Sequence, residues 1–237
     1  MRKDGRQYDK IRPIKIARNY IKHAEGSVLI SAGDTRIICS ASMEEKVPPH
    51  LRNTGTGWVT AEYSMLPRAT NKRNVRDRIS TSGRIYEIQR LIGRSLRSVI
   101  NLDLIGERTI IVDCDVIQAD GGTRTLSITG GFIALVEALH KLKRSKIVER
   151  YNIEDYLAAI SVGIVDGKPM LDLNYDEDFR ASFDMNVVMT GKGKIVEVQG
   201  TAEEEPLTGK DLNILIALAK KGIDDIINIQ KETIKEL

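Results

Sequence analysis

Asp113-Cys-Asp-Val-Ile-Gln-Ala-Asp-Gly-Gly-Thr-Arg-Thr-Leu-Ser-Ile-Thr-Gly-Gly131 is the stretch that decides how this chain is read. It opens as the end of an apolar strand, expected over residues 109–118. It breaks at Asp120-Gly121-Gly122 and restarts as an apolar helix, expected from Leu126 to Lys143. A strand, a two-glycine break and a helix start leave backbone N–H groups free and aim the positive end of a helix dipole at the break. Glycine lets backbone approach an anion with no side chain in the way. Arg124 sits inside the break, with Thr123 and Thr125 beside it, and a guanidinium grips a phosphate through two parallel hydrogen bonds. An ordinary capped turn, with Thr123 or Thr125 at the cap and the arginine solvated, satisfies the same pattern. The glycine spacing matches neither a Walker loop nor a dinucleotide fingerprint.

On the N-terminal side of this stretch the charge is lopsided. Between Arg68 and Arg97 nine basic residues, Arg68, Lys72, Arg73, Arg76, Arg78, Arg84, Arg90, Arg94 and Arg97, face two acids, Asp77 and Glu87. Residues 71–82 read as a polar loop. From Gly83 the residues Ile85, Ile88, Ile92, Leu96 and Val99 keep helical spacing, which sets Arg90, Arg94 and Arg97 in a basic row. Arginine outnumbers lysine here, and arginine suits phosphate contacts. Further back, 26–33 and 35–43 read as a hairpin, 58–66 as another strand, and Arg12-Pro13-Ile14 as an extended segment. In the strand itself, Asp113 and Asp115 fall on one face and Ile110, Val112, Cys114 and Val116 on the other.

On the C-terminal side, 157–165 and 169–173 form an expected hairpin around Asp166-Gly167. An acidic loop follows and ends at Asp178. The strand 182–190 turns Phe183, Met185, Val187 and Met189 to one face and Asp184 and Asn186 to the other. Residues 194–200 return as a strand, and an amphipathic helix runs from Thr208 to the end. Asp178 and Asp184 are oxygen ligands of the kind Mg²⁺ takes, one or two carboxylates with water and substrate phosphates; one of them suits general acid work instead. A capping aspartate plus a solvated one explains the pair equally well.

The whole chain limits the chemistry. Its 237 residues are 41% hydrophobic but only 5% aromatic, so the core is aliphatic. Its net charge of +3 decides little by itself. Cys39 and Cys114 lie among apolar residues with no metal-binding spacing, and His23, His50 and His140 are scattered. No apolar run reaches membrane length, and a soluble, cytoplasmic protein is expected. The fold expected is α+β, mixed sheets with helices packed on them. A phosphate site, a basic loop and helix, and two carboxylates fit phosphoryl transfer on a polynucleotide, which needs alignment and charge stabilisation rather than a covalent nucleophile.

Over nearly its full length the chain resembles the bacterial ribonuclease PH family. The landmarks are Asp4-Gly-Arg6, Gly33-Asp-Thr-Arg36, the run from Gly57 to Thr70, Ser82-Gly-Arg84, Glu87 to Arg94, Asp113 to Thr129, Asp184-Met-Asn-Val-Val188 and Glu197 to Glu203. The resemblance implies a single ribonuclease PH domain over residues 1–237, of βαβα type, in a homohexamer built as a trimer of dimers. It implies a phosphate-dependent 3′→5′ exoribonuclease acting on tRNA precursors and other RNA 3′ ends, with inorganic phosphate as co-substrate, nucleoside diphosphates as products and nucleotide addition as the reverse. By motif match Arg84, Gly122, Thr123 and Arg124 would bind phosphate. Asp178 and Asp184 would be the catalytic and metal-binding carboxylates, with Mg²⁺ the expected ion, and Arg68, Arg73 and Arg76 would hold the RNA. Two other readings stand beside this one: a hydrolytic nuclease using Asp113, Asp115, Asp178 and Asp184, and a non-catalytic RNA-binding subunit, which the retained site residues argue against.

Overall fold

The computed structural model describes residues 2–75, 83–203, 206–235 and 237. Arg76 and the second half of the expected polar loop therefore lie outside the described residues. Alternating burial organises a first sheet of five strands: β1 (Ile14–Arg18), β2 (Gly26–Ala32), β3 (Thr35–Glu44), β4 (Trp58–Met65) and β5 (Thr109–Gln118), in the order β1-β2-β3-β5-β4. The pairs are antiparallel except β4–β5, which is parallel. Helix α1 (Gly83–Arg97) lies on the crossover between those two strands, and parallel neighbours need such a crossover. The segment after Arg12, read as merely extended, becomes an edge strand because β2 supplies its ladder.

Helix α2 (Thr123–Arg144) is buried without a break from Thr125 to Leu139. It packs on β2, β3 and β5 of the first sheet and, on its other side, on β6 (Leu157–Val165) and β8 (Ala181–Thr190) of a second sheet. Its apolar residues therefore run all round, as expected for a helix between two sheets. At Gly130 an added Cβ would come 2.7 Å from Ile30 and 2.9 Å from Cys39, so the close approach of α2 to the sheet needs the bare backbone. Cys39 and Cys114 face each other across β3 and β5, both buried and free.

The second sheet runs β7-β6-β8-β9, with β7 (Lys168–Leu171) and β9 (Ile195–Ala202) at its edges. The β6–β7 turn is the two-residue one anticipated, with Asp166 at φ 50° and Gly167 at φ 71°. Helix α4 (Gly209–Ile234), capped by Thr208, covers the far face. The layers are thus sheet, α1 with α2, sheet, α4: a mixed α+β architecture of βαβα type. No described helix is long and apolar enough to cross a membrane.

Three expectations need correction. Helix α2 begins three residues early, because Gly122 takes the capping position in a left-handed conformation, φ 67°, with no side-chain cap. Arg124 therefore lies in the first helical turn and not in the break. The acidic loop is a short helix, α3 (Tyr175–Phe179), held by a reciprocal cap between Asn174 and Glu177. The row Arg90, Arg94, Arg97 is not a uniform phosphate face: the Arg97 guanidinium lies 4.1 Å over the Trp58 ring and donates to the Val59 carbonyl, while Arg94 pairs with Glu197 at 3.0 Å.

Candidate active site

One open cleft of about 1500 Å³ is lined by Arg84, Gly122, Thr123, Arg124, Asp178 and Asp184. Four elements far apart in sequence thus deliver the residues singled out above to one place. The cation side comes from two helix starts. Arg84 is the second residue of α1 and stands exposed, with no ion-pair or hydrogen-bond partner among the described residues. Arg124, in the first turn of α2, is half-buried; its Nη1 donates to Gln199 Oε1 at 3.3 Å and lies 3.8 Å from Glu87.

The loop before α2 turns its carbonyls inward. The Gly122 carbonyl accepts from the Leu126 amide at 3.0 Å and the Thr125 hydroxyl at 2.9 Å. The amides of Gly122, Thr123 and Arg124 have no protein acceptor among the described residues. Gly121 and Gly122 have φ of 76° and 67°, and a Cβ on Gly121 would sit 2.6 Å from the Leu173 carbonyl, so the bend needs glycine twice. Tyr63, buried in β4, donates its hydroxyl to Thr123 Oγ1 at 2.9 Å and fixes that side chain.

The acid side comes from α3 and β8. Burial pushes the Asp178 carboxyl above its ordinary value, against the pull of Arg124, Arg84 and Arg12. Burial pushes Asp184 up as well, and the repulsion of Asp178 adds to it. Two oxygen donors that disfavour each other's charge make a field that a small divalent cation relieves. The described residues contain no cluster of three or more acids, histidines or cysteines able to hold a metal. The pair therefore suits an ion that shares its shell with water and substrate, not a closed structural site. Tyr175 and Phe179, one turn apart on α3, stack with centroids 6.3 Å apart and stand 53% and 80% exposed at the same cleft.

Other expected residues fall elsewhere. Arg68 and Arg73 are exposed on the loop after β4; their neighbours Thr70, Asn74 and Val75 line the cleft, so the two arginines flank it. Asp113 and Asp115 point away from the core and do not line the cleft, which separates them from Asp178 and Asp184. Sequence reasoning gave no part to Tyr63, Gln199, Tyr175 or Phe179. Only the aromatic pair left a usable signal, its four-residue spacing, and the acids around it masked that signal.

Known proteins match this architecture end to end. Models of the 3′ exoribonuclease family match twice, domain 1 over residues 10–139 and domain 2 over residues 155–222, and the two matches fall on the first and second sheets. The chain is similar to ribonuclease PH of Bacillus velezensis, 57% identical over 239 residues that cover 100% of this chain and 98% of that protein. It is also similar to ribonuclease PH of Moorella thermoacetica, 56% identical and covering 100% and 96%. Among solved structures, rice Rrp46 superposes with a TM-score of 0.79 at 19% identity, covering 98% of this chain and 99% of that one. The Archaeoglobus fulgidus exosome with RNA bound to the active site gives 0.79 at 20% identity, covering 99% and 92%.

Proposed function

This chain belongs to the 3′ exoribonuclease family, among the ribonuclease PH proteins, and on that premise we propose that it shortens RNA from the 3′ end with inorganic phosphate as the attacking group. One observation carries the reading: Arg84 and the amides of a helix start, without partners among the described residues, face Asp178 and Asp184 across a single cleft together with Arg124. A hydrolytic enzyme activating water has no need of that cation side. Phosphate held between the two guanidiniums and the amides of Gly122, Thr123 and Arg124 is charge-matched and aligned for in-line attack. A phosphate oxygen bonds to the last internucleotide phosphorus as the bond from that phosphorus to the upstream O3′ breaks. The departing O3′ takes up a proton. The products are a nucleoside diphosphate and RNA one residue shorter, and reversal adds a nucleotide from the diphosphate.

Mg²⁺ held by Asp178 and Asp184 would offset charge on the scissile phosphate and the leaving oxygen. Tyr175 and Phe179 offer a face on which terminal bases stack whatever their identity, and Arg68, Arg73 and Arg76 would track the RNA backbone. The proposed substrates are tRNA precursors and other RNA 3′ ends. The proposed setting is the cytoplasm, and the proposed assembly is a homohexameric ring in which several such loops surround one opening. Light scattering on the purified protein tests the last point, with six chain masses expected.

The activity is tested with a 3′-extended tRNA, with and without phosphate. Trimming that requires phosphate and yields nucleoside diphosphates is expected. Equal trimming without phosphate, or nucleoside monophosphates as product, overturns the proposal.

A further inference from the structure

Beneath the cleft lies a buried ionic cluster made by the N-terminal segment, and nothing in the reaction above uses it. Arg12, 4% exposed, donates from Nε and Nη2 to the two oxygens of Asp172 at 3.0 and 2.7 Å. Its remaining donors reach the loop: Nη1 to the Asp120 carbonyl at 2.6 Å and Nη2 to the Gly121 carbonyl at 3.4 Å. Thr35, fully buried, completes the arrangement. Its hydroxyl accepts from the Asp120 amide at 3.0 Å and donates to the Gly121 carbonyl at 2.8 Å. Arg2 grips Glu177 through Nε at 2.7 Å and Nη2 at 2.5 Å. Glu177 in turn caps α3, the helix that carries Asp178.

We propose that Arg12 and Thr35 are positioning residues for the attacking phosphate, acting by turning the Asp120 and Gly121 carbonyls inward so that the amides after them face the anion. The proposal rests on the phosphate reading of the cleft. A peptide unit cannot turn both its polar ends the same way. With the Asp120 and Gly121 carbonyls held by Arg12 and Thr35, and the Gly122 carbonyl by Thr125 and Leu126 of α2, the N–H groups of Gly121, Gly122 and Thr123 point the other way, where no protein acceptor meets them among the described residues. If those carbonyls were released, one flipped unit would present oxygen to the anion and repel it. Neither Arg12 nor Thr35 has to touch phosphate for this. It also gives a role to two sequence landmarks that the reaction leaves unused. Thr35 belongs to Gly33-Asp-Thr-Arg36, and Arg6 of Asp4-Gly-Arg6 lies 3.3 Å from the same Asp172 carboxylate.

The test is phosphorolysis at varied phosphate and varied RNA in the full-length protein, wild type against Arg12→Lys and Thr35→Val. Lysine keeps a charge beside Asp172 but loses the fork that reaches the carbonyls. Both variants are expected to raise the phosphate KM about tenfold, the lower end of what removing an orienting partner costs, and to leave the RNA KM unchanged. Arg18→Lys, which disturbs a different, part-buried pair with Glu137 in the C-terminal half of α2, is the control and should leave the phosphate KM where it was. Equal losses for phosphate and RNA, or a lower melting temperature with an unchanged phosphate KM, would mean that the cluster only supports the fold, and the proposal fails. If Arg12→Lys does not fold, Thr35→Val alone decides. A wild-type protein whose rate ignores phosphate overturns the phosphate reading itself, and this inference with it. A wild type that saturates while the variants match it overturns the inference alone.

Discussion

The two walls of the cleft carry opposite charge and are built by different means. The cation wall is largely backbone: two helix starts, a Gly-Gly bend and two guanidiniums, all between Arg84 and Arg124. The acid wall is made of side chains on a five-residue helix and a strand, and its shape depends on a cap and a buried arginine from the far N-terminus. A wall made of backbone amides is pre-organised by the fold and tolerates little change in the glycines. A wall of carboxylates is tuned by its surroundings, and here burial pushes both acids toward the protonated form.

Removing one acid should have the largest effect. Asp184→Asn keeps shape and hydrogen bonding but loses the charge, and kcat is expected to fall about 100- to 10,000-fold, the scale for a proton-transferring or charge-stabilising group, with the phosphate KM little altered. Arg124→Ala strikes the opposite wall. It should cost about 100-fold in kcat/KM for phosphate, more than it costs for RNA. If the two variants fail in the same kinetic constant, the division of labour between the walls is wrong. Phe179→Ala, on the acid wall's helix but bearing no charge, should raise the RNA KM by roughly 5- to 160-fold, matching about 1–3 kcal/mol for one stacked base, and leave the phosphate KM alone.

The smallest effect expected is in pH dependence. Asp178 and Asp184 have pKa values raised above the ordinary 3.8, by burial first and for Asp184 by its neighbour's charge as well. They therefore take up protons earlier on acidification than exposed carboxylates, and a protonated pair binds a cation poorly. At limiting Mg²⁺ the rate should begin to fall at a pH above that of ordinary carboxylates, and more Mg²⁺ should move the fall to lower pH. A profile that ignores Mg²⁺ would detach the acids from the ion. Stability has the opposite sign. A raised carboxyl pKa favours the fold below the unfolded value and loses that contribution as pH rises through the folded one. Asp172 runs the other way: burial raises it, but Arg12 and Arg6 hold it below 3.8 overall. Its contribution is present above the unfolded pKa and is lost as pH falls through the folded value.

The two walls also differ in how far the sequence reveals them. Strand, glycines, arginine and helix follow one another between Thr109 and Arg144, so local rules of turn and period are enough to find the cation wall. They misjudge only where α2 starts, because a left-handed glycine replaces the expected side-chain cap. On the acid wall Asp178 and Asp184 read equally well as an oxygen-ligand pair and as ordinary polar residues at element ends, and only resemblance to a family chose between the two. Their proximity to Arg124 depends on how the two sheets close around α2, and no local pattern encodes that closure. Arg12 was least visible of all, since its partners Asp172 and Asp120 lie more than a hundred residues away. A basic N-terminal segment reads as solvated until the carboxylate that buries it is known.

The most direct test of the central claim follows radiolabelled orthophosphate through one round of trimming on a 3′-extended tRNA with Mg²⁺ present. If the Gly-Gly bend and its arginines hold the attacking group, the label appears in the terminal phosphate of the released nucleoside diphosphates, and Arg124→Ala suppresses its incorporation. Label that stays in orthophosphate while nucleoside monophosphates accumulate would contradict the account.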